Sequence, residues 1–290
     1  MNTLIFALPG NEALAQALSQ QTGFPAGSAE IRHFPDGETY VRLLTDVQQQ
    51  RVLVLATLFQ PDAQMMALYY LCRILRDSGA QEITLIAPYL AYMRQDKQFH
   101  PGEAVTSAYF AEWVSQFADR LITIDPHLHR RKSMAEIYSI PCTVLHAEEI
   151  IAEWVLKNVE LPLLIGPDSE SEQWVSAIAN RMSIPYIVLE KTRLGDKNVE
   201  ISVPDVSAYL QHTPVLMDDI ISTARTMIQT HLHLQKAGLQ PTVCIGVHGL
   251  FAGDALQALQ DAGVGKIITC NTIPHATNAI DISPLIVKQL

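Results

Sequence analysis

The segment Val215–Thr226, V-L-M-D-D-I-I-S-T-A-R-T, gathers groups that suit a charged ligand. An apolar run enters two adjacent carboxylates, Asp218 and Asp219; Ser222, Thr223, Ala224, Arg225 and Thr226 then open a helical pattern. Paired carboxylates at a strand end suit a sugar diol or a hydrated cation, and hydroxyls with backbone N–H groups at a helix N-terminus suit a phosphate monoester. The plainer alternative is a helix capped by Ser222 or Thr223 beside solvated aspartates. In P-Y-L-A-Y-M-R-Q-D-K, residues 88–97, Arg94 offers a planar donor fork for phosphate oxygens or for stacking on a base. Gln95 can hydrogen-bond and Asp96 is suited to hold Arg94; a surface ion-pair cluster is the alternative. F-P-D-G-E, Phe34 to Glu38, reads as a turn by composition, with Asp36 and Glu38 flanking Gly37. His127, two residues after Asp125 at a strand end, suits a divalent cation directly or through its water, or a structural place; His129 shares its parity. Asp168, beyond another strand-like run, offers the hard oxygen that Mg2+ prefers. Lys191 and Arg193 share an extended-chain parity and suit one cleft, or form a solvated basic pair. His231 and His233, two apart on a helical pattern, do not share a face and read as non-ligands.

Such residues need a frame. Strand-like runs at Val52–Leu58, Ile83–Pro88 and Leu121–Asp125 alternate with helical patterns at Pro61–Asp77 and Glu103–Ala118. Met65, Leu68, Tyr69, Cys72 and Leu75 recur at helical spacing, Pro61 suits a first turn and Gly79 a C-terminal cap. The second half repeats the rhythm, with strands at Leu163–Gly166, Ile184–Glu190, Val199–Val203, Pro214–Met217, Thr242–Val247 and Lys266–Cys270. Helices are expected at Glu170–Arg181, Thr223–Ala237 and Asp254–Asp261. Near-continuous apolar strands separated by helices predict an α/β fold of mainly parallel sheets flanked by helices. Two such blocks predict two domains, residues 1–145 and 146–290, joined tightly near 141–150. Ligands of open parallel sheets bind beyond the carboxyl ends of the strands, where most of these residues fall.

Length and composition set limits. With 290 residues, 48% of them apolar, the chain can build one or two cores. Twenty Lys and Arg against 30 Asp and Glu give a net charge of −10, which argues against a nucleic-acid or anionic-membrane surface but not against a local cationic pocket. Charged residues make up 17%, against roughly a quarter in typical domains, a hint of buried subunit contact. No apolar run is long enough to cross a bilayer, and the N-terminus, lacking a basic region, reads as a first strand. Cys72, Cys142, Cys244 and Cys270 form no CxxC pair and are expected to be core residues in a reducing cytoplasm.

In order, these motifs resemble the ribose-phosphate pyrophosphokinase family over nearly the full chain. The Asp218–Thr226 string is similar to the ribose-phosphate loop of the phosphoribosyltransferase-like fold, D-D-x-x-x-T-G/A-G-T after an apolar run. F-P-D-G-E resembles the family's adenine-contacting loop, residues 88–97 its ATP-binding segment, and I-D-P-H (Ile124 to His127) its metal-binding turn. G-P-D at 166–168 is similar to its S-P-D, E-K-T-R (Glu190 to Arg193) to the start of its catalytic flexible loop, and H-G-L-F-A-G-D-A (His248 to Ala255) to a structural signature. The short loops look most like the archaeal form. The resemblance implies two phosphoribosyltransferase-like domains that move the β,γ-diphosphoryl group of ATP to C1 of ribose 5-phosphate, leaving AMP. It implies that Phe34, Asp36, Gly37 and Glu38 of a neighbouring subunit hold adenine, with Arg94, Gln95 and Asp96 on the nucleotide. His127 and Asp168 would position Mg2+, Lys191 and Arg193 would act in catalysis, and Asp218 to Thr226 would hold the sugar phosphate. A cytoplasmic homodimer or higher homo-oligomer is expected.

Three features depart from the family pattern. Arg225 replaces a loop glycine, Ser169-Glu170-Ser171 replaces a glycine-containing turn, and Gln98 stands where relatives carry a basic residue. A non-catalytic regulatory paralogue and a one-substrate phosphoribosyltransferase are the competing readings. Retention of Lys191, Arg193, Asp218 and Asp219 argues against the first, and the N-terminal ATP-type motifs against the second.

Overall fold

Runs such as R-V-L-V-L and E-I-T-L-I-A are buried along almost their whole length, so they have no face to give to water and become interior strands. In the computed structural model, residues 2–128, 130–166, 172–194, 198–202 and 206–290 are described, with backbone alone at 172–174, 177, 190–194 and 198–202. His129 and Asp168 lie outside the described residues, as do the side chains of Lys191 and Arg193. The chain forms two units, each described by itself below. The first takes the chain up to His146 together with Thr272–Pro274 and Ser283–Leu290; the second takes Ala147–Asn271 and His275–Ile282.

In the first unit, β1 (Thr3–Ala7), α1 (Glu12–Thr22), β2 (Ala29–His33), β3 (Thr39–Leu43) and β4 (Arg51–Leu55) are followed by α2 (Met65–Asp77) and β5 (Glu82–Ala87). Next come α3 (Thr106–Val114), β6 (Arg120–Ile124) and β7 (Cys142–Leu145). A five-stranded parallel sheet runs β1-β4-β5-β6-β7, and β2 and β3 form a separate antiparallel hairpin. Helix α2 buries Leu68, Leu71, Cys72 and Leu75 on one stripe. Its end matches the expected glycine cap: Gly79 has φ 88°, Gly79 N donates to Arg76 O at 3.0 Å and Ala80 N to Leu75 O at 3.0 Å, the paired bonds of a Schellman turn. Pro61, however, opens a separate 3-10 turn, Pro61–Ala63, ahead of the α-helix.

The second unit contains α4 (Glu148–Asn158), β8 (Pro162–Gly166), α5 (Glu172–Met182), β9 (Tyr186–Val188), β10 (Glu190–Leu194), β11 (Asn198–Ser202) and β12 (Thr213–Ile221). α6 (Arg225–Lys236), β13 (Val243–Gly249), α7 (Ala255–Asp261), β14 (Lys266–Cys270) and β15 (Asn278–Ile280) complete it, while α8 (Ser283–Val287) belongs to the first unit. Six parallel strands run β15-β14-β13-β12-β8-β9. The expected strand at Val199–Val203 does not join this sheet: β11 pairs antiparallel with β10 in a hairpin of its own. Among the described residues no helix is long and apolar enough to cross a membrane. All four cysteines are free, with Cys142 alone partly exposed.

Candidate active site

In the second unit the chain leaves β8 for β9 on one side, then returns with β12 on the other and continues outward through β13, β14 and β15. The reversal between β8 and β12 is a topological switch point, the place where open parallel sheets leave a ligand crevice beyond their carboxyl ends. β12 delivers Asp218 and Asp219 there. The strand was expected to end at Met217, but it continues to Ile221. Its pairing with β8 stops at Leu216↔Ile165, whereas its pairing with β13 goes on through Asp218↔Gly246, Ile220↔His248 and Ile221↔Gly249. Asp218 and Asp219 are half-buried, and Asp219 N donates to Asp218 Oδ1 at 3.0 Å.

The turn Ser222–Ala224 follows, and α6 begins at Arg225, two residues later than its expected start at Thr223. Ala224 takes a left-handed conformation, φ 57° and ψ 5°, at the position where the family string allows glycine or alanine, and no side-chain hydrogen bond caps the helix there. The helix starts beyond Ser222 and Thr223, so neither is its N-cap residue. The turn is held from outside by the His248–Ala255 segment. Leu250 N and Phe251 N donate to Ile221 O at 2.9 and 3.0 Å, and Ala252 N donates to Ser222 O at 3.0 Å. A side chain on Gly246 would bring Cβ to 2.5 Å from Ile221 Cγ1, so it would displace the Ile221 side chain at the end of β12. Arg225 is exposed at the first helical position. Lys191 and Arg193 both lie in β10, opposite Ile201 and Val199.

In the first unit, the segment after β5 is pinned on several sides. Tyr89, Leu90, Ala91 and Met93 are buried. Tyr92 has φ 61° and its hydroxyl hydrogen-bonds Asp62; burial first, and the acceptor Asp62 second, push its pKa up to about 12. Ser107 N donates to Gln95 O at 3.3 Å and Thr106 Oγ1 donates to Gln95 Oε1 at 3.1 Å, tying the segment to the start of α3. Asp96 does not hold Arg94 as expected: its carboxylate accepts from Arg130 Nη1 at 3.0 Å, and its carbonyl from Arg131 Nη2 at 3.3 Å. Arg94 is exposed between these anchored neighbours.

F-P-D-G-E forms the exposed tip of the β2–β3 hairpin, closed by Phe34 N to Glu38 O at 2.8 Å and Gly37 N to Phe34 O at 2.9 Å. Asp36 Oδ1 accepts from Glu38 N at 3.2 Å, and Gly37 has φ 93°. At the end of β6, Asp125 has φ 36° immediately before Pro126, a strained place for a non-glycine residue. Its N–H donates to Leu145 O at 2.9 Å and its Oδ1 lies 2.8 Å from His146 Nδ1. His146 was not among the sequence candidates, because β7 brings it to β6 only through sheet pairing. Among the described residues no group of three or more His, Cys, Asp or Glu is arranged to hold a metal. Mg2+ commonly takes one or two protein ligands plus substrate phosphates and waters; of the two expected here, His127 is half-buried just beyond the end of β6 and Asp168 lies outside the described residues.

Comparison with known proteins agrees across both units. A family model for the N-terminal domain of ribose phosphate pyrophosphokinase matches residues 3–117, and one for the phosphoribosyl transferase domain matches residues 133–284. The ribose-phosphate pyrophosphokinase of Sulfurisphaera tokodaii is 30% identical over 99% of this chain and 100% of its own. That of Sulfolobus acidocaldarius is 32% identical over 90% of this chain and 91% of its own. The crystal structure of phosphoribosylpyrophosphate synthetase from Mycobacterium smegmatis has the same fold, with a TM-score of 0.87 over 100% of this chain and 97% of that one, at 23% identity. Two domain models in the family's order and relatives aligned over nearly the whole chain lead to one conclusion: the chain belongs to the ribose-phosphate pyrophosphokinase family.

Proposed function

We propose that this chain transfers the β,γ-diphosphoryl group of ATP to the anomeric oxygen of ribose 5-phosphate, giving 5-phosphoribosyl 1-pyrophosphate and AMP. The observation that supports this most is the switch point between β8 and β12, where the strand end carries Asp218 and Asp219 into the Ser222–Ala224 turn. The α6 N-terminus and the hydroxyls of Ser222, Thr223 and Thr226 hold the 5-phosphate, and Asp218 and Asp219 hold the ribose hydroxyls. Arg225 would place positive charge where the helix dipole is already positive, a conflict that a bound phosphate dianion removes.

Phe34, Asp36, Gly37 and Glu38 hold adenine, and Arg94, Gln95 and Asp96 position the nucleotide. His127 and Asp168 would hold Mg2+, which would supply charge neutralisation on the triphosphate. The anomeric hydroxyl oxygen attacks the β-phosphorus and loses its proton to solvent, the bond from that phosphorus to the α–β bridging oxygen breaks with its electron pair going to that oxygen, and AMP leaves. Such transfer asks the protein mainly for alignment and charge stabilisation, and Lys191 and Arg193 meet the charge that develops. We assign a homodimer or higher homo-oligomer acting in the cytoplasm. Incubation with ATP, Mg2+ and ribose 5-phosphate tests the proposal: AMP should appear only when the sugar phosphate is present. Nucleotide binding without AMP would favour a regulatory protein instead, and base-dependent consumption of phosphoribosyl pyrophosphate a phosphoribosyltransferase.

A further inference from the structure

The β2–β3 hairpin has two faces with different contents. Its register pairs Ala29 with Leu43 and Ile31 with Val41, and these four pack on the core of the first unit. The alternate residues pair Glu30 with Arg42 and Arg32 with Tyr40, and by the pleat they occupy the opposite face. On that face the Arg32 guanidinium lies 4.1 Å from the Tyr40 ring centroid and 4.9 Å from that of Phe34. The two rings meet edge to face at 5.7 Å and 85°. Glu30 Oε1 accepts from Arg32 Nε at 3.1 Å and so fixes the plane of the fork.

Phe34 is 40% exposed at a hairpin tip, where an unsupported ring samples several rotamers. Ordering such a side chain on binding costs affinity, and holding it beforehand removes that cost. A planar guanidinium anchored at one edge can support a ring in a way that an ammonium on a flexible stem cannot.

From this geometry we infer that Arg32 is a positioning residue for base recognition, holding the Phe34 ring ready against the nucleobase while making no contact with the nucleotide's phosphates. The inference rests on the proposed role of Phe34 in holding adenine and names the residue that prepares it. It differs from a general cationic contribution in one measurable way. Arg32 acts on ligands that have a base and is silent toward a polyphosphate that has none.

Calorimetric titration of the full-length protein with Mg-ATP and with inorganic tripolyphosphate tests this, using Arg32→Ala, Arg32→Lys and Phe34→Ala. Arg32 is exposed, and thermal melts establish that each variant is folded. Arg32→Ala should weaken Mg-ATP binding several-fold, leave the tripolyphosphate affinity unchanged and leave kcat at saturating ATP unchanged. Arg32→Lys should recover only part of the loss. Equal losses for Mg-ATP and tripolyphosphate would make Arg32 a phosphate contact and overturn the inference. If Phe34→Ala weakens Mg-ATP binding and Arg32→Ala does not, the inference falls and the role of Phe34 stands. If Phe34→Ala changes nothing, both fall together. A wild-type protein that binds Mg-ATP but makes no AMP would sink the proposed activity alone, because the binding comparison does not need turnover.

Discussion

Lys191 and Arg225 carry the sharpest expectations for single residues. Lys191→Ala should keep the fold and lose kcat by about 10²-fold or more, the scale for one donor to charge that develops in transfer. A variant keeping more than half of wild-type kcat in steady-state assays would remove Lys191 from the catalytic group. Arg225→Gly restores the glycine of the family string, and KM for ribose 5-phosphate should rise several-fold with a smaller change for ATP. A level or lower KM for the sugar phosphate would make Arg225 a tolerated substitution. Both expectations come from the sequence, where each residue lies inside a contiguous string. The Asp125–His146 and Arg32–Tyr40 pairs were not legible there, since their partners meet only through strand register. Asp96 shows the same limit: sequence proximity pointed to Arg94, whereas the partner is Arg130, 34 residues away.

Helices and strands set a second level of expectation. Gly246→Ala should cost about 1–3 kcal/mol in denaturant unfolding, because the new methyl overlaps Ile221 at the end of β12. The same shift should raise KM for ribose 5-phosphate, since Ile221 leads directly into Ser222; a neutral effect on both would mean that Ile221 repacks freely. His231 ties α6 to its neighbours. Its Nε2 donates to Ala262 O at 3.1 Å and its Nδ1 accepts from Thr242 Oγ1 at 2.8 Å, which fixes a neutral tautomer. Burial lowers its pKa below the ordinary 6.5. Below pH 6.5 the unfolded chain therefore takes a proton that the folded chain refuses. The stability this histidine contributes is full above that pH and falls as the pH drops beneath it. Thermal melts at pH 7.5 and 5.5 should show a smaller loss in His231→Gln than in wild type, and an equal loss would assign the dependence elsewhere. Most buried strands were legible as apolar runs. The β2–β3 hairpin, α1, α4 and β7 were not, because short half-exposed elements carry weak periodicity. The end of β12 was misplaced because two aspartates read as a strand stop, whereas pairing with β13 carries the strand past them.

At the scale of the whole chain, composition and strand rhythm pointed to two α/β blocks. They did not reveal that Thr272–Pro274 and Ser283–Leu290 rejoin the first unit, a return made by long-range contacts such as Gln21 Nε2 to Ser283 Oγ at 2.6 Å. The molecule should be at least a homodimer by light scattering at assay concentrations, and a fully active monomer would refute that. Chelation of divalent cations should abolish turnover and Mg2+ should restore it. The activity itself predicts that two phosphorus atoms move as one unit. Phosphorus NMR during turnover follows both: the β- and γ-phosphates of ATP should pass together onto C1 of ribose 5-phosphate, with AMP formed one for one. Formation of ADP, with the γ-phosphate moving alone, or the absence of any phosphorus transfer to the sugar from bound ATP, would contradict the proposed reaction.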